Sequence, residues 1–254
     1  MSMPTVFVSH GAPTLILDDV PARTFLASLG QQLPKPKAII AVSAHWDTDV
    51  PAVSLARKPE TIHDFYGFPD ALYRLRYAAP GDPKLAERVA KLTGAAHDNH
   101  RGLDHGAWVP AMLGWPEADI PIFQLSVQPD QSPAHHIALG RKLAPLREEG
   151  VLVMGSGSAT HNLRALVRGG VDCEPESWAQ EFDDWLAATL EKGDEAALAD
   201  YRAQAPGASE AHPTDEHLLP LHVAYGAAGE GARGRALHRS FSLGNLSMAS
   251  YAFA

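Results

Sequence analysis

The sequence predicts an α/β fold: one domain on a mostly parallel central sheet, with helices on both faces and an antiparallel hairpin at the C-terminus. Three observations predict it. Short unbroken apolar runs, Val6-Phe7-Val8, Ile39-Ile40-Ala41-Val42 and Val151-Leu152-Val153-Met154, have the character of strands buried on both faces of a parallel sheet. Helical segments alternate with strand-like runs over most of the length. Near the end, stretches 237–243 and 246–253 flank Gly244-Asn245, a hairpin turn signal.

Taken in order, the first strand is followed by Asp18-Asp19-Val20-Pro21, acids and a proline that start a helix running to about Gln32. Pro34-Lys35-Pro36 breaks it before the second strand, and Ala52-Val53-Ser54-Leu55 alternates as a further short strand. The stretch 61–80, rich in aromatics, Gly and Pro, reads as a structured loop. Asp82-Pro83 caps a helix that ends at Gly94. Asp104 caps another from His105 to Leu113, and 121–127 is a strand. Ser132-Pro133 opens a helix closing at Gly150, directly before the Val151 strand. Ser177 and Gln180 fit a capping box for a helix reaching Lys192. No linker or repeat divides the chain, so residues 1–254 read as a single domain.

Composition narrows the function. A formal net charge of -9 and a pI of about 5.8 argue against nucleic acid or an anionic membrane as partner. No apolar stretch has the length of a membrane span and no signal-type core is visible, so a cytoplasmic location is expected. With thirteen His and one Cys, Cys173, an internal disulfide and a thiolate-rich metal site are excluded, and a nitrogen/oxygen site stays open.

The histidines carry the chemistry. Ligands in open α/β sheets sit beyond the carboxyl ends of the strands. His10 and His45 each follow an apolar run beside a small residue, Gly11 or Ala44, and the Val151 run reaches His161 through Gly155-Ser156-Gly157-Ser158. One histidine alone is more often a surface or core side chain; three at strand exits point to one converging metal site. The best third ligand is His217, in Thr214-Asp215-Glu216-His217-Leu218-Leu219-Pro220, with Asp215 or Glu216 as alternatives and an ordinary helix start, kinked at Pro220, as the plain reading. His105 and His161 each open an expected helix, whose positive end favours a neutral imidazole able to accept a proton or bind metal. His97 and His100 fall in a loop and receive no role. The glycines before His161 match neither a dinucleotide nor a Walker loop, and Ser156 and Ser158 do not fit a nucleophile elbow.

Six segments in this order, Ser9-His10-Gly11-Ala12-Pro13, Ser43-Ala44-His45-Trp46, Ile62-His63-Asp64-Phe65-Tyr66-Gly67-Phe68-Pro69, Leu103-Asp104-His105-Gly106-Ala107-Trp108, Gly155-Ser156-Gly157 through His161-Asn162-Leu163, and Thr214 through Leu221, cover nearly the whole chain. Together they resemble the class III extradiol ring-cleavage dioxygenases, in the DOPA extradiol dioxygenase-like branch. The resemblance implies a mononuclear non-haem metal bound by His10, His45 and His217. It implies that His161 is a further ligand or the acid/base, and that His105 hydrogen-bonds substrate or oxygen. His63, Trp46, Phe65, Tyr66 and Trp108 are candidates for the aromatic wall around the substrate. Better-known class III enzymes have a carboxylate as third ligand, where this chain has His217. The implied cofactor is one divalent ion, Fe(II) for ring cleavage or Zn(II), and the implied partners are a small aromatic diol such as DOPA and O2. Three neutral imidazoles also make a catalytic zinc sphere, so a zinc-dependent hydrolase using bound water, with His161 or Glu216 as base, is the alternative.

Overall fold

β1 (Thr5–Ser9), β2 (Ala38–Asp47), β5 (Ile122–Val127) and β6 (Val151–Gly157) lie side by side at the centre of the sheet and all run parallel. The flanking strands are β3 (Ala52–Ser54), β4 (Ala96–Asp98), β7 (Gly234–His238) and β10 (Ser250–Phe253), giving the order β4-β3-β5-β2-β6-β1-β10-β7. β3 is antiparallel to β5, and β10 is antiparallel to both β1 and β7. β8 (Phe241–Ser242) and β9 (Leu246–Ser247) form a separate two-stranded ribbon. The computed structural model describes residues 2–167 and 174–254, so Cys173 lies outside the described residues.

Alternation explains why the central strands read as continuous apolar runs. Successive side chains point to opposite faces, and here both faces are covered. Val6, Val8, Ile39, Ala41, Leu152 and Met154 meet one layer, supplied by the helices Pro21–Gln32 (Leu26, Leu29) and His105–Gly114 (Trp108). On the other face, Ile40, Val42, Val153 and Phe123 meet Leu85 and Val89 of helix Pro83–Thr93, Leu139 of helix Pro133–Arg141 and Val223 of helix Leu219–Ala228. Phe7 packs there against Phe182, Leu186 and Leu190 of helix Ser177–Lys192. Burying one such side chain contributes about 1.5–3 kcal/mol, so the two layers are the main source of stability.

Several boundaries differ from the sequence reading, each for a local reason. The segment expected as one helix from Pro133 to Gly150 is an α-helix to Arg141 and then a 3₁₀ stretch, Ala144–Glu149, because Pro145 cannot continue the α-helical ladder. Glu176, not Ser177, stands at the cap of the next helix and makes no side-chain cap bond, so the capping box does not form. After His161 there is one 3₁₀ turn, Leu163–Ala165, in place of a helix. His97 lies in edge strand β4. Pro220 sits in the first turn of its helix, where a missing N–H is tolerated, and produces no kink. The hairpin is present, but the residues with positive φ are Leu243 (52°) and Gly244 (76°), one position earlier than the expected turn. Three short helices beyond Lys192, Glu195–Ala199, Tyr201–Gln204 and Ala208–Ala211, have no counterpart in the sequence reading, since each is too short to show a period.

Candidate metal centre

The strand exits place the histidines. His10 is the residue after β1. His45 lies in the last part of β2, where the ladder to β5 breaks between Val42 and Asp47, freeing its side chain from the regular pairing. His105 is the first residue of its helix, which Asp104 caps by accepting from the Ala107 N–H at 3.2 Å. His217 stands on the turn before helix Leu219–Ala228, and the Ser158 N–H just past β6 donates to its carbonyl at 2.9 Å. Gly157 makes that approach possible, since a Cβ there would lie 2.0 Å from the His217 carbonyl oxygen. His161 is fixed by its own N–H, which donates to Ala211 O at 2.8 Å.

Five imidazoles converge. The His10 and His45 Nε2 atoms are 3.0 Å apart. Ring centroids are 4.0 Å apart for His45 and His105, 5.2 Å for His10 and His105, 5.0 Å for His45 and His217, and 5.6 Å for His10 and His217. His161 lies flat on His217, with centroids 3.4 Å apart and planes 9° from parallel. By ligand-atom spacing the groups fall into two sets, His10-His45-His105 and His161-Glu216-His217, in each of which the candidate donor atoms are within 4.8 Å of one another.

Hydrogen bonds on the outer nitrogens show which way the rings face. Ser156 Oγ donates to Gly106 O at 2.5 Å, so toward His10 Nδ1, 3.0 Å away, it accepts. His10 is thus protonated on Nδ1 and presents a bare Nε2. His217 Nδ1 donates to Glu216 Oε1 at 3.0 Å, leaving its Nε2 buried and without a partner among the described residues. His105 Nδ1 donates to Asp64 Oδ2 at 2.8 Å. An outward N–H held by an acceptor and an inward lone pair is how metal-binding histidines are oriented. The orphaned His217 Nε2 and the 3.0 Å nitrogen pair fit an ion whose bonds to imidazole are about 2.0–2.1 Å.

The electrostatics agree with a set of neutral donors. Burial, followed by the neighbouring imidazoles, holds His10 and His217 well below the ordinary histidine pKa. His45 is pushed down to about 4 by burial and His105, against the opposing pull of Asp104 and Asp64. Burial also lowers His161, opposed by Glu216. Asp64 is held below the usual carboxylate range, because its bonds from His105 outweigh its burial.

Beneath the imidazoles, fully buried Asp104 ties three segments together. Its carboxylate accepts from Ser43 Oγ (2.6 Å), Arg101 Nη2 (2.6 Å) and Gln124 Nε2 (2.7 Å). Gly106 completes this contact, since a Cβ would lie 2.4 Å from Ser43 Oγ and 3.1 Å from His45 Cδ2.

The aromatic candidates are distributed unevenly. Phe65 is edge-on to His105 at 5.9 Å, and His63 lies one layer out, 5.7 Å from Phe65, with Nε2 accepting from Arg76 at 3.2 Å. Trp108 is buried beneath them, its Nε1 donating to Ile62 O. Trp46 is buried below the Arg101 guanidinium, 5.1 Å from its ring centroid, while Tyr66 is 93% exposed. The sequence reading gives Asp64 no role, treats Asp104 as a helix cap and rejects Ser156 as a nucleophile; an acid beside a histidine, as in His63-Asp64 and Asp104-His105, is the signal that points to the two aspartates.

Comparison with known proteins fits this geometry. Residues 4–254 match the model of the catalytic LigB subunit of aromatic ring-opening dioxygenase. A "4,5-DOPA dioxygenase extradiol" of Beta vulgaris is 46% identical, over 98% of this chain and 96% of its own length. A protein of the same name from Escherichia coli K12 is 40% identical, over 89% of this chain and 85% of its own. The crystal structure of an uncharacterized Escherichia coli K12 protein superposes with a TM-score of 0.83 at 34% identity, covering 98% of this chain and 99% of that one. Fold, converging histidines and these likenesses agree: the chain belongs to the LigB family of aromatic ring-opening dioxygenases, which are oxidoreductases.

Proposed function

We propose that the protein opens the ring of a catechol such as DOPA beside its hydroxyl pair, with O2, at one divalent ion held by His10, His45 and His217. The observation that carries this reading is the inward Nε2 face of imidazoles from distant segments, each outer nitrogen of His10 and His217 already satisfied by an acceptor. Imidazole sets suit iron and zinc alike, and ring opening by O2 calls for Fe(II). When bound, the ion acidifies a hydroxyl and brings diol and oxygen together.

The chain's own side chains then have separate tasks. A ring nitrogen's lone pair lies in the ring plane, and His161 is parallel to His217 at 3.4 Å. Two such lone pairs do not converge on one ion, which supports His161 as the acid/base and not a ligand. Its ring is neutral near pH 7 and able to take a phenolic proton, a step worth about 10²–10⁴-fold. His105 faces the same centre and would hydrogen-bond the bound diol. Phe65 and His63 line the side of the site next to His105 and would pack against the substrate ring. Trp108 supports them from below.

The test is anaerobic purification, loading with Fe(II), then addition of DOPA and air. A yellow ring-opened product is expected. No colour with any catechol, combined with ester or amide hydrolysis by the zinc form, overturns the reading.

A further inference from the structure

We infer that Asp64 is a positioning residue that sets which nitrogen of His105 faces the metal centre. Asp64 sits in the irregular stretch between Thr61 and Pro69 and reaches the first turn of the His105 helix. Both carboxylate oxygens are committed there: Oδ1 accepts from the His105 backbone N–H at 2.9 Å, and Oδ2 from His105 Nδ1 at 2.8 Å. The same Oδ2 is 3.8 Å from His45 Nδ1.

An ionised carboxylate only accepts, so it admits one neutral tautomer of His105, protonated on Nδ1 with a bare Nε2. The backbone bond fixes where the ring starts, the side-chain bond fixes its rotation, and Phe65, next in sequence, closes its edge at 5.9 Å. The loop itself is anchored: Ile62 N donates to Leu103 O at 2.7 Å, and Leu103 N to Glu60 O at 2.7 Å. In its neutral form His105 therefore meets its substrate as an acceptor at Nε2, and Asp64 is what prevents the opposite tautomer.

Asp64→Asn separates this role from a merely structural one. An asparagine oxygen can still accept from the His105 backbone N–H, so the helix start is preserved. Its NH₂ donates to Nδ1, however, and moves the ring proton to Nε2. The measurement is histidine nitrogen-15 NMR on the zinc-loaded protein, with the His105 signal assigned by comparison with His105→Gln. Wild type is expected to show Nδ1–H, Asp64→Asn to show Nε2–H, and Asp64→Glu to restore Nδ1–H. In the iron-loaded protein, Asp64→Asn should lower kcat by about 10–100-fold with a much smaller change in KM, and Asp64→Glu should recover part of it. Nε2–H in the wild type, or an Asp64→Asn protein with Nδ1–H or with kcat within about threefold of wild type, overturns the inference. Only this kinetic arm rests on the ring-opening reading; a wild type inert toward every catechol sinks that reading and leaves the NMR arm to decide.

Discussion

His217 and His161 lie face to face with different tasks proposed for them, and substitution should expose the difference. His217→Ala removes an inward, buried donor and should abolish retention of the ion, whereas His161→Ala should keep the ion and lose about 10²–10⁴-fold in kcat. Metal analysis beside turnover distinguishes the two, and equal loss of metal would make His161 a ligand. Gly106→Ala tests the packing beneath: its methyl would press on Ser43, His45 and His10, at 2.4, 3.1 and 3.2 Å. A loss of about 1–3 kcal/mol in thermal stability, together with weakened metal retention, is expected. At this scale the sequence disclosed the inward-facing groups better than their supports. His10, His45 and His161 end or follow apolar runs and can be read directly. Ser156 supports His10 across 146 positions and Asp64 supports His105 across 41, and no local pattern records such pairings.

Elements were legible where one physical signal dominated. Continuous apolar runs predict β1, β2 and β6, the mixed run 121–127 predicts β5, and Asp82 and Asp104 mark helix starts that the structure retains. Pieces of four or five residues, such as Tyr201–Gln204, are held by packing and leave no periodic trace. The C-terminal ribbon shows how a tertiary tie replaces local propensity. Buried Asp183, on helix Ser177–Lys192, accepts from Arg239 Nε (2.8 Å) and Nη2 (2.6 Å) and from Ser247 Oγ (2.7 Å). Thr160 Oγ1, next to His161, donates to Asn245 O at 2.5 Å, so the same ribbon braces a centre residue. Arg239→Ala strands the buried carboxylate and should lower stability by about 3–5 kcal/mol in urea unfolding, with Asp183→Asn in the same chain recovering part of the loss. An unchanged midpoint for Arg239→Ala would show that Asp183 is satisfied without it.

For the molecule as a whole, acid sensitivity follows from histidines outside the centre. His136 accepts from Gln128 N–H at Nε2 and donates to Ser132 O from Nδ1, an arrangement that requires the neutral ring. Burial pushes both His136 and His222 from 6.5 down to about 4. Unfolding therefore takes up protons between those values: their contribution is complete above pH 6.5, falls as pH drops, and is gone below about 4. The loss is about 3 kcal/mol for each group, and melting temperatures that stay level from pH 7 to 5 would contradict it. Among the described residues no helix is long and apolar enough to cross a membrane. Strand order carries one more consequence. β6 lies between β1 and β2, so the strands that carry His10 and His45 are not joined in one sheet until the chain has returned to fill the gap, and His217 arrives later still. A nascent polypeptide emerging from the ribosome thus has no assembled cradle for the proposed ion until most of its translation is over.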